Sequence, residues 1–176
     1  MTQLSTSTHP GHPDEEGQMT NNNPHLKLRF SIVAEVAEWV EIGDVNGQRL
    51  VFVPITGGTV TGDISGVVLP GGGDWARILS PEVVHVEARY LVRTDDGVVI
   101  DIVNTGIARF VDGYDSPIGY FATRPVFQVA DPDTQWLNRS VFVGWAKTDS
   151  TATTIDVYEV VPPGAQSAAS ASGTKE

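Results

Sequence analysis

The sequence predicts an all-β domain, a sandwich or a barrel built from roughly seven to nine antiparallel strands. Three observations carry that reading. Apolar and polar residues alternate with a period of two over most of residues 26–160. Turn signals recur at short intervals, most clearly at Asn46-Gly47 and Asp95-Asp96-Gly97. No stretch offers the apolar spacing of an amphipathic helix.

Residues 1–24 are polar, rich in Pro, Asn, Thr and Ser, and carry almost no large apolar groups. Such a stretch cannot offset the entropy of ordering, so it reads as a disordered tail. His9 and His12 lie in it and His25 follows; scattered histidines of this kind read as solvated rather than ligating. Ordered chain starts near His25. Leu26, Leu28, Phe30, Ile32, Ala34 and Val36 alternate with Lys27, Arg29, Ser31 and Glu35, which predicts a strand with one buried face. Asn46-Gly47 is a hairpin signal, and residues 49–55 form a β-rich strand broken at Gly57-Gly58. Residues 59–69 continue with interruptions at Gly62-Asp63 and Gly66, where glycines inside strands mark bulges or the bends of a barrel.

That strand runs into Pro70-Gly71-Gly72-Gly73, with Asp74 and Trp75 immediately after. Consecutive glycines let another group approach the backbone. An acid and an indole placed there point to a cavity mouth. Residues 83–93 form a long strand, Asp95-Asp96-Gly97 turns the chain, and residues 98–104 return beside it. Residues 118–129, 137–147 and 153–160 read as three more strands. From Pro162 the composition becomes small and polar, so a single domain over 25–161 ends in a second tail at 162–176.

Strand 83–93 offers two readings. Val84, Val86, Ala88, Tyr90 and Val92 share one face; His85, Glu87, Arg89 and Leu91 share the other. Either the charged face is in water, or it lines the polar cavity of a closed barrel whose apolar outside is covered.

At 176 residues the chain is long enough for one domain with a real core. Its net charge of −11 and pI of about 4.6 argue against nucleic-acid partners, which need a basic footprint. The absence of cysteine excludes disulfides and thiolate metal sites. No apolar run approaches the roughly 20 residues that span a bilayer, and the N-terminus lacks signal-peptide order, so a cytoplasmic location without membrane attachment is expected. There is no Gly-x-Ser-x-Gly elbow, phosphate loop, dinucleotide fingerprint or histidine pair at metal-ligand spacing.

Five motifs in order resemble one family. They are Gly57-Gly58-x-x-x-Gly62; Gly66-x-x-Leu69-Pro70-Gly71-Gly72-Gly73-Asp74-Trp75; Arg89-Tyr90 with Thr94-Asp95-Asp96-Gly97; Asn104-x-Gly106; and Trp136-Leu137-Asn138-Arg139 followed by Val141-Phe142-Val143. Together they resemble the family known as domain of unknown function 3237, across roughly residues 26–160. The resemblance implies a compact antiparallel β-barrel, lipocalin-like, of about eight strands, that tends to form homodimers. Members in natural-product pathways look like cyclases that close oxygen rings, without a cofactor, by adding a hydroxyl to an alkene, enone or ketone. Proteins of the family often carry Arg after the Tyr-Phe pair; here Ala122 follows Tyr120-Phe121, with Arg124 two places on.

The resemblance and the residues together suggest an acid–base site for a hydrophobic, polyketide-like small molecule. Asp74 is the leading candidate for a general acid or base. Glu87 and Arg89 share a strand face and could polarise a carbonyl if that face lines the cavity. Asp96 is a further acid, in a sequence that a turn also explains. Trp75, Phe127 and Trp136 are candidate walls for a substrate; Tyr90, Asn104, Tyr120 and Asn138 are candidate hydrogen-bonding groups. The expected activity is a cofactor-free cyclase or isomerase, with a non-catalytic binding barrel as the alternative.

Overall fold

The computed structural model describes residues 23–113 and 116–163. Apart from residues 23, 24, 162 and 163, the tails expected over 1–24 and 162–176 lie outside the described residues. The strands are β1 (His25–Val36), β2 (Val40–Val45), β3 (Gln48–Gly62), β4 (Gly66–Val68), β5 (Gly72–Ser80), β6 (Val83–Thr94), β7 (Val99–Phe110), β8 (Ile118–Gln128), β9 (Phe142–Thr148) and β10 (Ala152–Val161). β1, β10, β9, β8, β7 and β6 pair in that order; β6 pairs with β4 and β5, both of these pair with β3, and β3 returns to β1. The result is a closed antiparallel barrel of eight strand positions, β4 and β5 sharing one. The barrel reading holds, and the sandwich is set aside. β2 stands outside the ring, paired only with β3 and bulged between Glu41 and Gly43.

Closure depends on a bend in β3. Its first half pairs with β2 and β5, its second half with β1 and β4. The change falls around Gly57-Gly58, beside Thr56, where the register with β1 shifts. Gly58 has φ +132°, and a methyl group on it would lie 1.9 Å from the Val33 carbonyl oxygen. Only glycine allows the two backbones to meet there. The Asn46-Gly47 hairpin forms between β2 and β3, with φ values of 55° and 77° that fit a two-residue turn.

Three expectations about the strands need correction. In β1 the alternation does not run through: Leu28 pairs with Tyr158 but Phe30 with Val157, so Arg29 is an extra, bulged residue. Residues on either side of the bulge therefore face opposite ways. Leu26 and Leu28 are exposed, while Phe30, Ile32 and Ala34 are buried. Arg29 instead closes one barrel end, lying 4.3 Å from the Trp136 ring and 3.0 Å from the Asp63 carboxylate. The strand expected over 137–147 begins only at Phe142, because Gln135–Arg139 form a turn of 3-10 helix that buries Leu137. In β6 the apolar face points inward, and Glu87 and Arg89 point out to solvent. A charged interior would leave carboxylate and guanidinium desolvated, whereas the apolar set gains by burial.

The interior is divided. One end is filled by Phe30, Phe127 and Phe142, whose rings meet edge to face, with Leu137, Ile100 and Ile102 around them. Burying each such side chain contributes roughly 1.5–3 kcal/mol. The other end is lined by smaller side chains and stays hollow.

The bend and the turn at Gly71 separate strain from collision. Gly71 has φ +106° but open space where a methyl group would go. Gly58→Ala should cost on the order of 3 kcal/mol or more, and Gly71→Ala about 1–2 kcal/mol. Urea unfolding of the two variants beside the wild type checks this; equal losses would show that closure does not depend on the β1–β3 contact.

Candidate active site

The hollow end holds a cavity of about 450 Å³. Val51, Val53 and Ile55 of β3, Ala76 and Ile78 of β5, Val84, Val86 and Ala88 of β6, and Phe121 of β8 make most of its wall apolar. The solvent-exposed lining residues mark its mouth: Ala37, Glu38 and Trp39 between β1 and β2, and Thr148, Asp149 and Ser150 at the β9–β10 turn.

Asp74, Tyr90, Asn104, Thr123 and Thr153 interrupt the apolar wall. Strand alternation turns Asp74 inward and Trp75 outward. Gly73 lets β5 lie this close to β3, since a methyl group there would come within 2.1 Å of the Phe52 ring. Asp74, Ala88 and Asn104 form one row across β5, β6 and β7. Two strand spacings separate the acid from the amide, roughly 10 Å between backbones, which leaves room for part of a small molecule. Tyr90 is two residues along β6 on the same face, and Thr123 faces the cavity from β8.

The β5–β6 ladder joins Asp74 to Ala88 and Arg77 to His85 but is interrupted between them. There the Glu87 backbone N–H donates to Asp74 Oδ1 at 2.7 Å. The second carboxylate oxygen has no protein partner among the described residues. Burial pushes the Asp74 carboxyl up to about 6; the Glu87 N–H opposes this, and the Glu87 charge adds to it. Solvent access through the cavity leaves the group titratable. Burial also pushes the Tyr90 phenol well above its ordinary value, opposed by the Asn104 side chain within reach of its hydroxyl. Tyr90 is therefore a neutral hydroxyl near neutral pH.

Among the described residues the buried Tyr90 hydroxyl, Asn104 Oδ1 and Thr123 Oγ1 make no hydrogen bond of full geometry, although the Asn104 side chain lies near enough to the Tyr90 hydroxyl to interact with it. Buried polar atoms are nearly always paired, and leaving one unpaired costs about 1–3 kcal/mol. Three of them around one cavity, with a carboxylate, form a set that a ligand carrying both hydroxyl donors and carbonyl acceptors would satisfy. Among the described residues no group of three or more His, Asp or Glu side chains is placed to hold a metal ion.

Of the residues singled out from sequence, Asp74, Tyr90 and Asn104 reach the cavity. The expectation that the others face it is corrected by their positions. Glu87 is exposed, 3.8 Å from Arg77, and Arg89 pairs with Asp101 at 2.8 Å on the outer face. Asp96 takes a hydrogen bond from the Thr94 hydroxyl in the β6–β7 turn. Trp75 packs outside on Phe52, with ring centroids 4.8 Å apart. Tyr120 lies outside beneath Arg109 and beside Trp145. Phe127 and Trp136 belong to the filled end. Asn138 bridges the Val129 backbone, accepting from its N–H at 3.0 Å and donating to its C=O at 2.6 Å. Thr123, Glu38, Trp39 and Asp149 were missed. Thr123 carried a usable signal, a hydroxyl between Phe121 and Pro125 on the buried face of β8; the mouth residues carried none.

A protein-family model, that of protein of unknown function DUF3237, matches residues 24–160. A UPF0311 protein of Rhodopseudomonas palustris is 36% identical over 147 residues, covering 77% of this chain and 95% of its own length. The crystal structure of a conserved protein of unknown function from that organism superposes with a TM-score of 0.73 at 34% identity, over 79% of this chain and 99% of the other. A β-barrel-like protein of Acinetobacter baumannii also gives 0.73, at 27% identity over 81% and 99%. A structure described as an enzyme from Penicillium herquei gives 0.58 at 18% identity over 88% and 99%, a likeness of fold alone.

The raised carboxyl links the site to stability. A carboxyl that is harder to ionise in the folded state makes the fold lose stability as pH rises from about 3.8 through about 6. Asp74→Asn keeps an oxygen for the Glu87 N–H and removes the charge. It should stabilise the protein by roughly 2–3 kcal/mol above pH 7 and by much less at pH 4.5. Thermal unfolding at both pH values measures the difference; no gain at high pH would mean the carboxylate is well solvated in the cavity.

Proposed function

Because the chain belongs to the DUF3237 family, whose description assigns no activity, we propose from its own cavity that it is a cofactor-free cyclase or isomerase. It would close an oxygen ring in an apolar small molecule by general acid–base catalysis. One observation carries the reading: a carboxyl poised near pH 6 faces three buried, unpartnered polar atoms inside an apolar cavity. The likeness to a fold found in an enzyme is consistent with it.

The chemistry follows from the positions. The Asp74 carboxylate takes the proton of a substrate hydroxyl as that oxygen bonds to the β-carbon of an enone. The π electrons move to the carbonyl oxygen, and the resulting enolate is held by the Tyr90 hydroxyl. Protonated Asp74 then returns its proton to the α-carbon. Atoms and charge balance, and the product is an isomer of the substrate. The apolar wall holds hydroxyl and enone in contact, which replaces an entropic cost of closure. A binding barrel without turnover uses the same groups and would release its ligand unchanged.

A panel of neutral hydroxy-enones, including 2′-hydroxychalcone closing to flavanone, tests the proposal through loss of enone absorbance. Acceleration should fall by about 10²-fold or more in Asp74→Asn. The rate should rise with pH through about 6 and then level, because the base form does the work. An Asp74→Asn protein that closes rings at the wild-type rate rules the mechanism out. A ligand that copurifies and is recovered unchanged favours the binding barrel.

A further inference from the structure

Among the described residues no Lys, Arg or His lines the cavity, whereas Asp74 lies within it and Glu38 and Asp149 stand at its exposed rim. Asp149 is a fixed charge: the Thr151 and Ala152 backbone N–H groups and the Thr151 hydroxyl donate to its Oδ1 at 2.7–2.9 Å and hold its carboxyl below the usual range. Arg49, 5.1 Å from the Trp39 ring, holds the Glu41 carboxylate at 2.7 Å. The whole chain carries −11.

We infer that this cavity is a charge filter, admitting uncharged molecules and turning away carboxylates, sulfonates and phosphates, with Glu38 and Asp149 as the specificity-determining pair at the mouth. The physical basis is twofold. An anion meets like charge at the rim, and inside it loses its hydration without gaining a cation. An uncharged molecule with hydroxyl and carbonyl groups meets neither cost and satisfies the unpartnered oxygens of Tyr90, Asn104 and Thr123.

The filter places the protein in a reaction sequence. A substrate still attached to a phosphorylated carrier brings its phosphate to the acidic rim. A chain freed by simple thioester hydrolysis carries a new carboxylate. The supplying reaction is therefore one whose product carries no phosphate, sulfonate or free carboxylate. As a statement of substrate class this rests on the acid–base reading of the same cavity. Its test is independent of turnover.

Two fluorescent probes of similar size separate the outcomes: uncharged N-phenyl-1-naphthylamine and anionic 8-anilino-1-naphthalenesulfonate. The uncharged probe should bind at least tenfold more tightly, and Ala88→Trp, which fills the cavity, should abolish its binding. Should Ala88→Trp fail to fold, energy transfer from Trp39 locates the probe, since Trp39→Phe should lower the sensitised emission. Glu38→Lys, an exposed change, should narrow the preference several-fold. Equal affinity of both probes for the cavity, or binding of neither, overturns the filter. A preference unchanged in Glu38→Lys removes Glu38 from it. A clear preference combined with normal ring closure by Asp74→Asn would leave the filter standing and the mechanism refuted; equal affinities with closure lost in that variant would do the reverse.

Discussion

The pairing of β1 with the second half of β3 is the constraint on which the rest of the molecule depends. It converts a long antiparallel meander into a closed ring, and it requires β3 to leave one pair of neighbours and join another at Gly57-Gly58. Once closed, the inward row of every strand is committed to a common interior. Asp74, Tyr90 and Asn104 then converge without any loop having to place them. Sites built on strands hold their geometry more tightly than sites on loops.

The two ends of the interior serve different demands. The filled end, with its three interlocking phenylalanines and Leu137, supplies close packing. The hollow end lowers stability: it forgoes contacts, leaves polar atoms unpaired and surrounds a carboxyl with protein. A fold with all of its interior like the hollow end would be marginal. Separating the two lets a reactive environment persist within a structure that the far end holds together.

Much of this was legible in the sequence, in a form set by what alternation can and cannot encode. The hairpins at Asn46-Gly47 and Asp96-Gly97 and most strand positions follow from local patterns. Asp74 drew notice because it follows three glycines, although the reason proved different: Gly73 admits Phe52, and the acid lies inside rather than at the rim. Alternation states that two faces differ, but not which one is inside when one carries Glu87 and Arg89 and the other is apolar; burial energetics decide that. The bulge at Arg29 reverses the faces of Leu26 and Leu28 for want of a single pairing, and only the partner strand β10 reveals it. The rim residues Glu38, Trp39 and Asp149 come from two connections distant in sequence, so no local pattern announces them.

β2 has a consequence of another kind. A closed barrel hides every strand edge, and β2, lying outside the ring, puts one back. That edge is six residues long, kinked by its bulge, and carries Glu41 and Asp44. Little length to pair with and the bulge's twist discourage an incoming strand, and Asp44 adds repulsion, the Glu41 charge being held by Arg49. The protein thus extends one wall of its barrel without offering a template for stacking copies into fibrils.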